Sequence, residues 1–99
     1  MKMDIRFSKK GDLRCISHLD IVRLFQRAVR RAGLPVKLSE GFSPRYKISF
    51  ERALKLGVES ENEKAWVSMQ EYISEKEFQI RLNEKLPEGI EVLECRRKF

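Results

Sequence analysis

Arg23, Arg27, Arg30 and Arg31 lie within nine consecutive positions. Their spacing of i, i+4 and i+7 or i+8 sets them on one side of a helix. A guanidinium offers a planar fork of donors that binds two phosphate oxygens at once. A stripe of such forks fits a phosphate backbone, so the chemistry is nucleic-acid binding. Lys37, Arg45 and Lys47 follow within sixteen residues of Arg31 and extend the positive charge. The alternative is a solvated helix face. Against it, only Asp20 and Gln26 interrupt the charge, so the stripe lacks the mixed signs of an inert face.

The second candidate is SEGFSPRYKISF, residues 39–50. Ser39, Gly41, Phe42 and Pro44 make a loop, and Arg45, Tyr46 and Lys47 leave it. Aromatic rings interleaved with cations suit single-stranded RNA, because rings stack bases while cations hold phosphates. Phe42 reads first as an aromatic plug in the core, whereas for Tyr46 core packing and stacking stand level.

His18 is the only histidine. At the first turn of a helix the dipole favours neutral imidazole, which suits a general base. With no paired carboxylate, it reads first as a packing or hydrogen-bonding group. Cys15-x-x-His18 resembles half of a metal site, but no second pair follows at zinc spacing, so no metal is assigned to this chain.

These residues need a helix and a strand-flanked loop to hold them. Ser17 and Asp20 form the start of a capping box. Leu19, Val22, Phe25, Ala28 or Val29, and Ala32 recur at helical steps, with Ile21 and Leu24 on the flank. Gly33 and Pro35 end the helix. Before it, Met3, Ile5 and Phe7 alternate as a strand, and Leu13 to Ile16 continue that strand or form a short partner. After it, Val36–Leu38 begins a strand and Tyr46, Ile48 and Phe50 resume one. Glu59–Lys64 reads as a polar hairpin loop, and Ala65–Ile73 as a strand. There Trp66 and Tyr72 share one face, read as core packing rather than as an RNA platform on an open sheet. Ser74 and Glu77 cap a second helix carrying Phe78, Leu82 and Leu86, and Ile90, Val92 and Leu93 open the last strand. This order is the split βαβ pattern of an α+β ferredoxin-like sandwich, an antiparallel sheet with two helices on one face.

The 99 residues suit one domain, 1–99. Residues 1–50 hold 12 Lys/Arg and 4 Asp/Glu, and residues 51–99 hold 9 and 11, so the halves carry +8 and −2. That asymmetry suggests an anionic partner. No apolar run reaches the ~20 residues of a membrane helix. No signal-peptide core follows the N-terminus, so a cytoplasmic chain with Cys15 and Cys95 reduced is expected. Two cysteines are too few for a self-contained iron–sulfur cluster.

The ordered set SHLD, QRAVRRAGLP, SEGFSPRYKISF, ALKLGVES with Glu63 shortly after, and LNEKLPEGIEV spans residues 5–93. In this set the chain resembles the radical-SAM-linked, or radical-SAM-associated, domain of unknown function. The shared positions are Ser17, His18, Asp20, Arg23, Arg27, Arg30, Arg31, Gly33, Pro35, Ser39, Gly41, Phe42 and Pro44. The resemblance implies a bacterial, cytoplasmic accessory domain and a radical SAM protein, fused or separate, as partner. S-adenosylmethionine and the iron–sulfur cluster would belong to that partner, with no cofactor on this chain. It also implies a link to RNA or ribosome metabolism, and it carries no catalytic role. Where the family reads histidine then proline after Pro44, this chain has Arg45 and Tyr46. Family members are commonly about twice this length, so the chain looks like an N-terminal half.

Three functions follow as expectations. The first is an RNA-binding module that presents RNA to the radical SAM partner. The second is a protein–protein adaptor that docks that partner, its missing half or a second copy through the open sheet face. The third is a small metal-independent ribonuclease with His18 as base and Arg45 or Lys47 stabilising the transition-state charge.

Overall fold

A computed structural model describes residues 1–99. The chain runs β1 (Lys2–Lys9), a short 3-10 helix (Gly11–Cys15), α1 (His18–Ala32), β2 (Ile48–Phe50), β3 (Ser60–Ser68), α2 (Glu75–Lys85) and β4 (Ile90–Lys98). The sheet order is β2-β3-β1-β4, and every neighbouring pair is antiparallel. This is the ferredoxin-like split βαβ arrangement that the element order predicts.

Strand alternation decides which face is covered. Met3, Ile5 and Phe7 of β1 and Ala65 and Val67 of β3 are buried under the helices. Lys2, Asp4 and Arg6, and Lys64, Trp66 and Ser68, therefore lie on the opposite, open face. Phe7, Phe25 and Phe50 meet edge-on or tilted, with centroids 5.0 to 6.0 Å apart, and join β1, α1 and β2 at the core's centre.

Both helices start where their capping boxes place them. The Asp20 N–H donates to Ser17 Oγ at 3.2 Å, and the Glu77 N–H donates to Ser74 Oγ at 3.1 Å. α1 ends at Gly33, whose φ of 65° is left-handed. Arg81 of α2 reaches over to donate to the carbonyls of Ala32 and Gly33, both at 2.8 Å, and so supplies partners that the last turn of α1 lacks.

Four expectations need correction. Leu13 to Ile16 is not strand: residues 11–15 wind into the 3-10 helix. Glu59–Lys64 is not a loop. From Ser60 it is the first half of β3, because β1 pairs with it from Lys9↔Ser60 to Arg6↔Lys64. The α1 core stripe is Ile21, Phe25, Ala28 and Val29, while Leu19 is exposed. Tyr72 lies beyond the end of β3 and is exposed, with the Arg97 guanidinium 4.9 Å from its ring centre, and Trp66 is half-buried on the open face. Neither ring is core. No helix is long and apolar enough to cross a membrane.

Candidate nucleic-acid interface

With Ile21, Phe25, Ala28 and Val29 turned inward, the helical period turns Arg23, Arg27, Arg30 and Arg31 outward. All four are exposed. Arg23 approaches Asp20 at 3.7 Å. Arg27, Arg30 and Arg31 have no carboxylate within 4 Å, although ion pairs occupy arginines elsewhere, at Arg6, Arg52, Arg81 and Arg97. Arg30 and Arg31 also sit at the negative end of the helix dipole, worth about 0.3–1 kcal/mol each. The dipole gives no account of Arg27, which stands one turn back.

The helix is tied to the basic loop through Gln26. Its Nε2 donates to the Tyr46 carbonyl at 2.8 Å, and the Tyr46 N–H donates to its Oε1 at 2.9 Å. The side-chain amide thus acts as one more strand partner for residue 46. Leu19, Arg23, Gln26 and Arg30 share a strip along α1 at steps of four, three and four residues. Arg23 and Arg30 therefore flank the point at which the loop docks. Gln26 carries no charge and looks in the sequence like a gap in the stripe, yet it registers loop and helix. Gln26→Ala leaves the half-buried Tyr46 N–H without a partner, while the Tyr46 carbonyl keeps the Ile48 N–H at 2.9 Å, at a cost of about 1–3 kcal/mol. Amide exchange at Tyr46 should accelerate strongly in that variant, with exchange in β1 much less affected.

The loop is a small hairpin. Leu38 bridges Tyr46, the Ser39 N–H donates to the Arg45 carbonyl at 2.7 Å, and the Arg45 N–H returns to Ser39 Oγ at 3.0 Å. Gly41 turns the tip with φ 121°, a conformation side-chain-bearing residues rarely adopt. Phe42 stands in solvent at the tip and is no core plug. Tyr46 is half-buried and packs against the core. The free ring for stacking at this site is thus Phe42. Pro44, Lys37, Arg45 and Lys47 are exposed, and none of these three cations has an acidic partner within 4 Å.

His18 sits apart from this cluster. Its Nδ1 accepts the Leu54 N–H at 3.2 Å, and its ring meets Phe50 edge-on at 5.3 Å. It pins the 51–58 segment to the start of α1. Gln26, which holds Tyr46, lies eight residues further along the helix, about 12 Å along the axis. The structure therefore docks the backbone of the basic loop on the arginine-bearing helix and not at His18. His18→Ala should speed amide exchange at Leu54 and leave exchange at Tyr46 much less affected. Cys15 is exposed at the end of the 3-10 helix, and no group of three potential metal ligands gathers near it. Cys95 faces the helices, where burial first, then the Glu75 and Asp4 carboxylates, push its thiol up to about 12.

At the opposite end of β1, Lys9 and Glu63 are buried charges. The Lys9 ammonium donates to the Lys55 carbonyl at 2.6 Å. Burial pushes the Glu63 carboxyl up, but hydrogen bonds from Arg52 and Ser60 and the charges of Arg52 and Lys9 hold it below its ordinary value. Arg52 is mostly exposed and closes this cluster from outside. These cations are satisfied within the chain, unlike those on α1.

Residues 2–98 match the model of a family described as an uncharacterized protein conserved in bacteria (DUF2344). No curated protein matches the chain.

Proposed function

We propose that this chain, which belongs to the bacterial DUF2344 family, is an RNA-binding accessory domain. The observation that carries this reading is a sequence-continuous run of exposed cations without carboxylate partners, Arg27, Arg30 and Arg31 on α1, followed by Lys37, Arg45 and Lys47 on the segment that Gln26 ties back to the helix. Fixed positive charge held in register by Gln26 supplies a track for phosphates, and Phe42 at the loop tip supplies a ring for a base. Arginine forks in particular favour phosphate over diffuse anionic surfaces.

The resemblance to radical-SAM-associated domains supports the second part of the proposal. The domain holds RNA for a radical SAM protein, fused or separate, on which S-adenosylmethionine and the iron–sulfur cluster reside. The chain itself takes no chemical step in this scheme, and His18 serves as a fold contact. A cytoplasmic setting goes with that partner.

The test is binding of a labelled cellular RNA pool at two salt concentrations. Each phosphate contact on a single strand contributes a slope of about −0.7 in log K against log salt. Tight binding at low salt with a slope of about −2 or steeper, three contacts or more, is the expected result. Absence of binding at low salt overturns the proposal and leaves the adaptor function in its place.

A further inference from the structure

The open sheet face has an order that the helix side does not reveal. Strand register places Lys47, Ser68, Lys2 and Lys98 side by side across the sheet: Lys2 faces both Ser68 and Lys98, and the Ser68 N–H donates to the Lys47 carbonyl at 3.0 Å. The next row is Ser49, Trp66, Asp4 and Arg96. The third is Glu51, Lys64, Arg6 and Glu94. The first row therefore carries +3, and the other two are neutral in sum.

The basic row lies at the end of the sandwich where α1 terminates. From Ala32 the chain passes through Lys37, whose N–H donates to the Ser68 carbonyl at 2.8 Å. Arg30 and Arg31 on the helix side thus connect, around the β2 edge through Lys37 and Lys47, with Lys2 and Lys98 on the sheet side. Beside this band, Trp66 borders a shallow hollow of about 480 Å³ shared with Lys2, Asp4 and Lys98. The indole is half-buried. Of these cations only Lys98 has a carboxylate partner, Asp4 at 2.9 Å, and that aspartate has a second oxygen, Oδ1, buried without a hydrogen-bond partner.

We infer that a single-stranded RNA segment continues from α1 around the β2 edge onto the open sheet face, where Trp66 stacks a base and Lys47, Lys2 and Lys98 hold its phosphates. Four strands spaced ~4.8 Å apart give this row a span of about 14 Å, long enough for several phosphates of an extended strand. A duplex presents its bases already stacked on one another, so it offers Trp66 no free face. This inference rests on the RNA-binding reading and extends it to a second face of the same domain.

Trp66 is the only tryptophan, so its fluorescence reports this face without a label. Titration with a single-stranded oligouridylate should quench the indole saturably, while an RNA duplex of the same length should not. Lys2→Glu/Lys98→Gln should weaken binding about tenfold and flatten the salt slope by about 1.4, two contacts at about 0.7 each. By labelled-RNA binding, Trp66→Ala should lose about tenfold and Trp66→Phe should stay within about threefold, because a ring that stacks remains. RNA binding that weakens with Arg27→Glu/Arg31→Glu but leaves the indole and the Lys2/Lys98 variant unaffected overturns this inference alone. Failure to bind any RNA overturns both.

Discussion

On the proposed RNA-binding function, Arg27→Glu/Arg31→Glu is expected to lower RNA affinity by about 100-fold at low salt. Two lost phosphate contacts account for about 25-fold near 0.1 M salt, and repulsion from two new carboxylates supplies the rest. The slope of log K against log salt falls by about 1.4 at the same time, which separates lost contacts from a general loss of structure. Folding should survive the change. Both side chains are exposed and neither pairs with an acid. The carboxylate introduced in place of Arg31 faces the negative end of the α1 dipole, at a cost of about 0.3–1 kcal/mol. Lys76→Glu/Lys85→Glu on α2 makes the same change in net charge at exposed positions and serves as the control. Equal losses in the two variants would mean that net charge alone governs binding. A loss confined to the α1 variant places the RNA on the arginine face.

Phe25→Ala is expected to have the largest effect on the fold. Phe25 is fully buried, with its ring 5.0 Å from Phe7 and 5.5 Å from Phe50. Truncation removes the ring that joins α1 to β1 and to the edge strand β2, at about 3–5 kcal/mol. A domain of this size has on the order of 5–15 kcal/mol in total. The melting temperature should therefore drop by roughly 12–40 °C, at about 4–8 °C per kcal/mol. Phe42→Ala, at the exposed loop tip, should shift it by no more than a degree or two. Thermal unfolding followed by circular dichroism checks both. A small shift for Phe25→Ala would mean that the three phenylalanines do not form the central contact.

The contrast between these phenylalanines shows where the sequence is legible. Capping boxes are local chemistry, so Ser17 and Ser74 mark helix starts within the sequence itself, and Gly33 with Pro35 marks an end. Alternation at Met3, Ile5 and Phe7 needs only the strand period. Glu59–Lys64 hides its strand because that half of β3 has few apolar residues. Its inward position is Glu63, whose burial depends on Arg52, eleven residues away in the chain. In the sequence Phe42 reads first as the core plug while Tyr46 stands level between packing and stacking, and tertiary contacts sort them the other way, Phe42 into solvent and Tyr46 against the core. Trp66 follows the same rule: its parity in β3 is readable, but not which face the helices cover.

The candidate site divides likewise. Helical spacing puts four arginines on one side of α1, and the structure keeps them there. That the loop carrying Arg45 and Lys47 docks on α1 depends on Gln26 and its two bonds to Tyr46, a polar side chain with no motif around it. His18 illustrates the reverse case, a residue singled out by its chemistry whose Nδ1 is occupied by the Leu54 N–H.

The most direct measurement is a map of backbone amide shifts during titration with single-stranded RNA. The arginine-face account predicts the largest changes at Arg23 to Arg31 and from Gly41 to Lys47, saturating together and collapsing at high salt. Shifts centred on the outer face of α2, around Lys76 to Glu84, or no shifts at low salt, would contradict it.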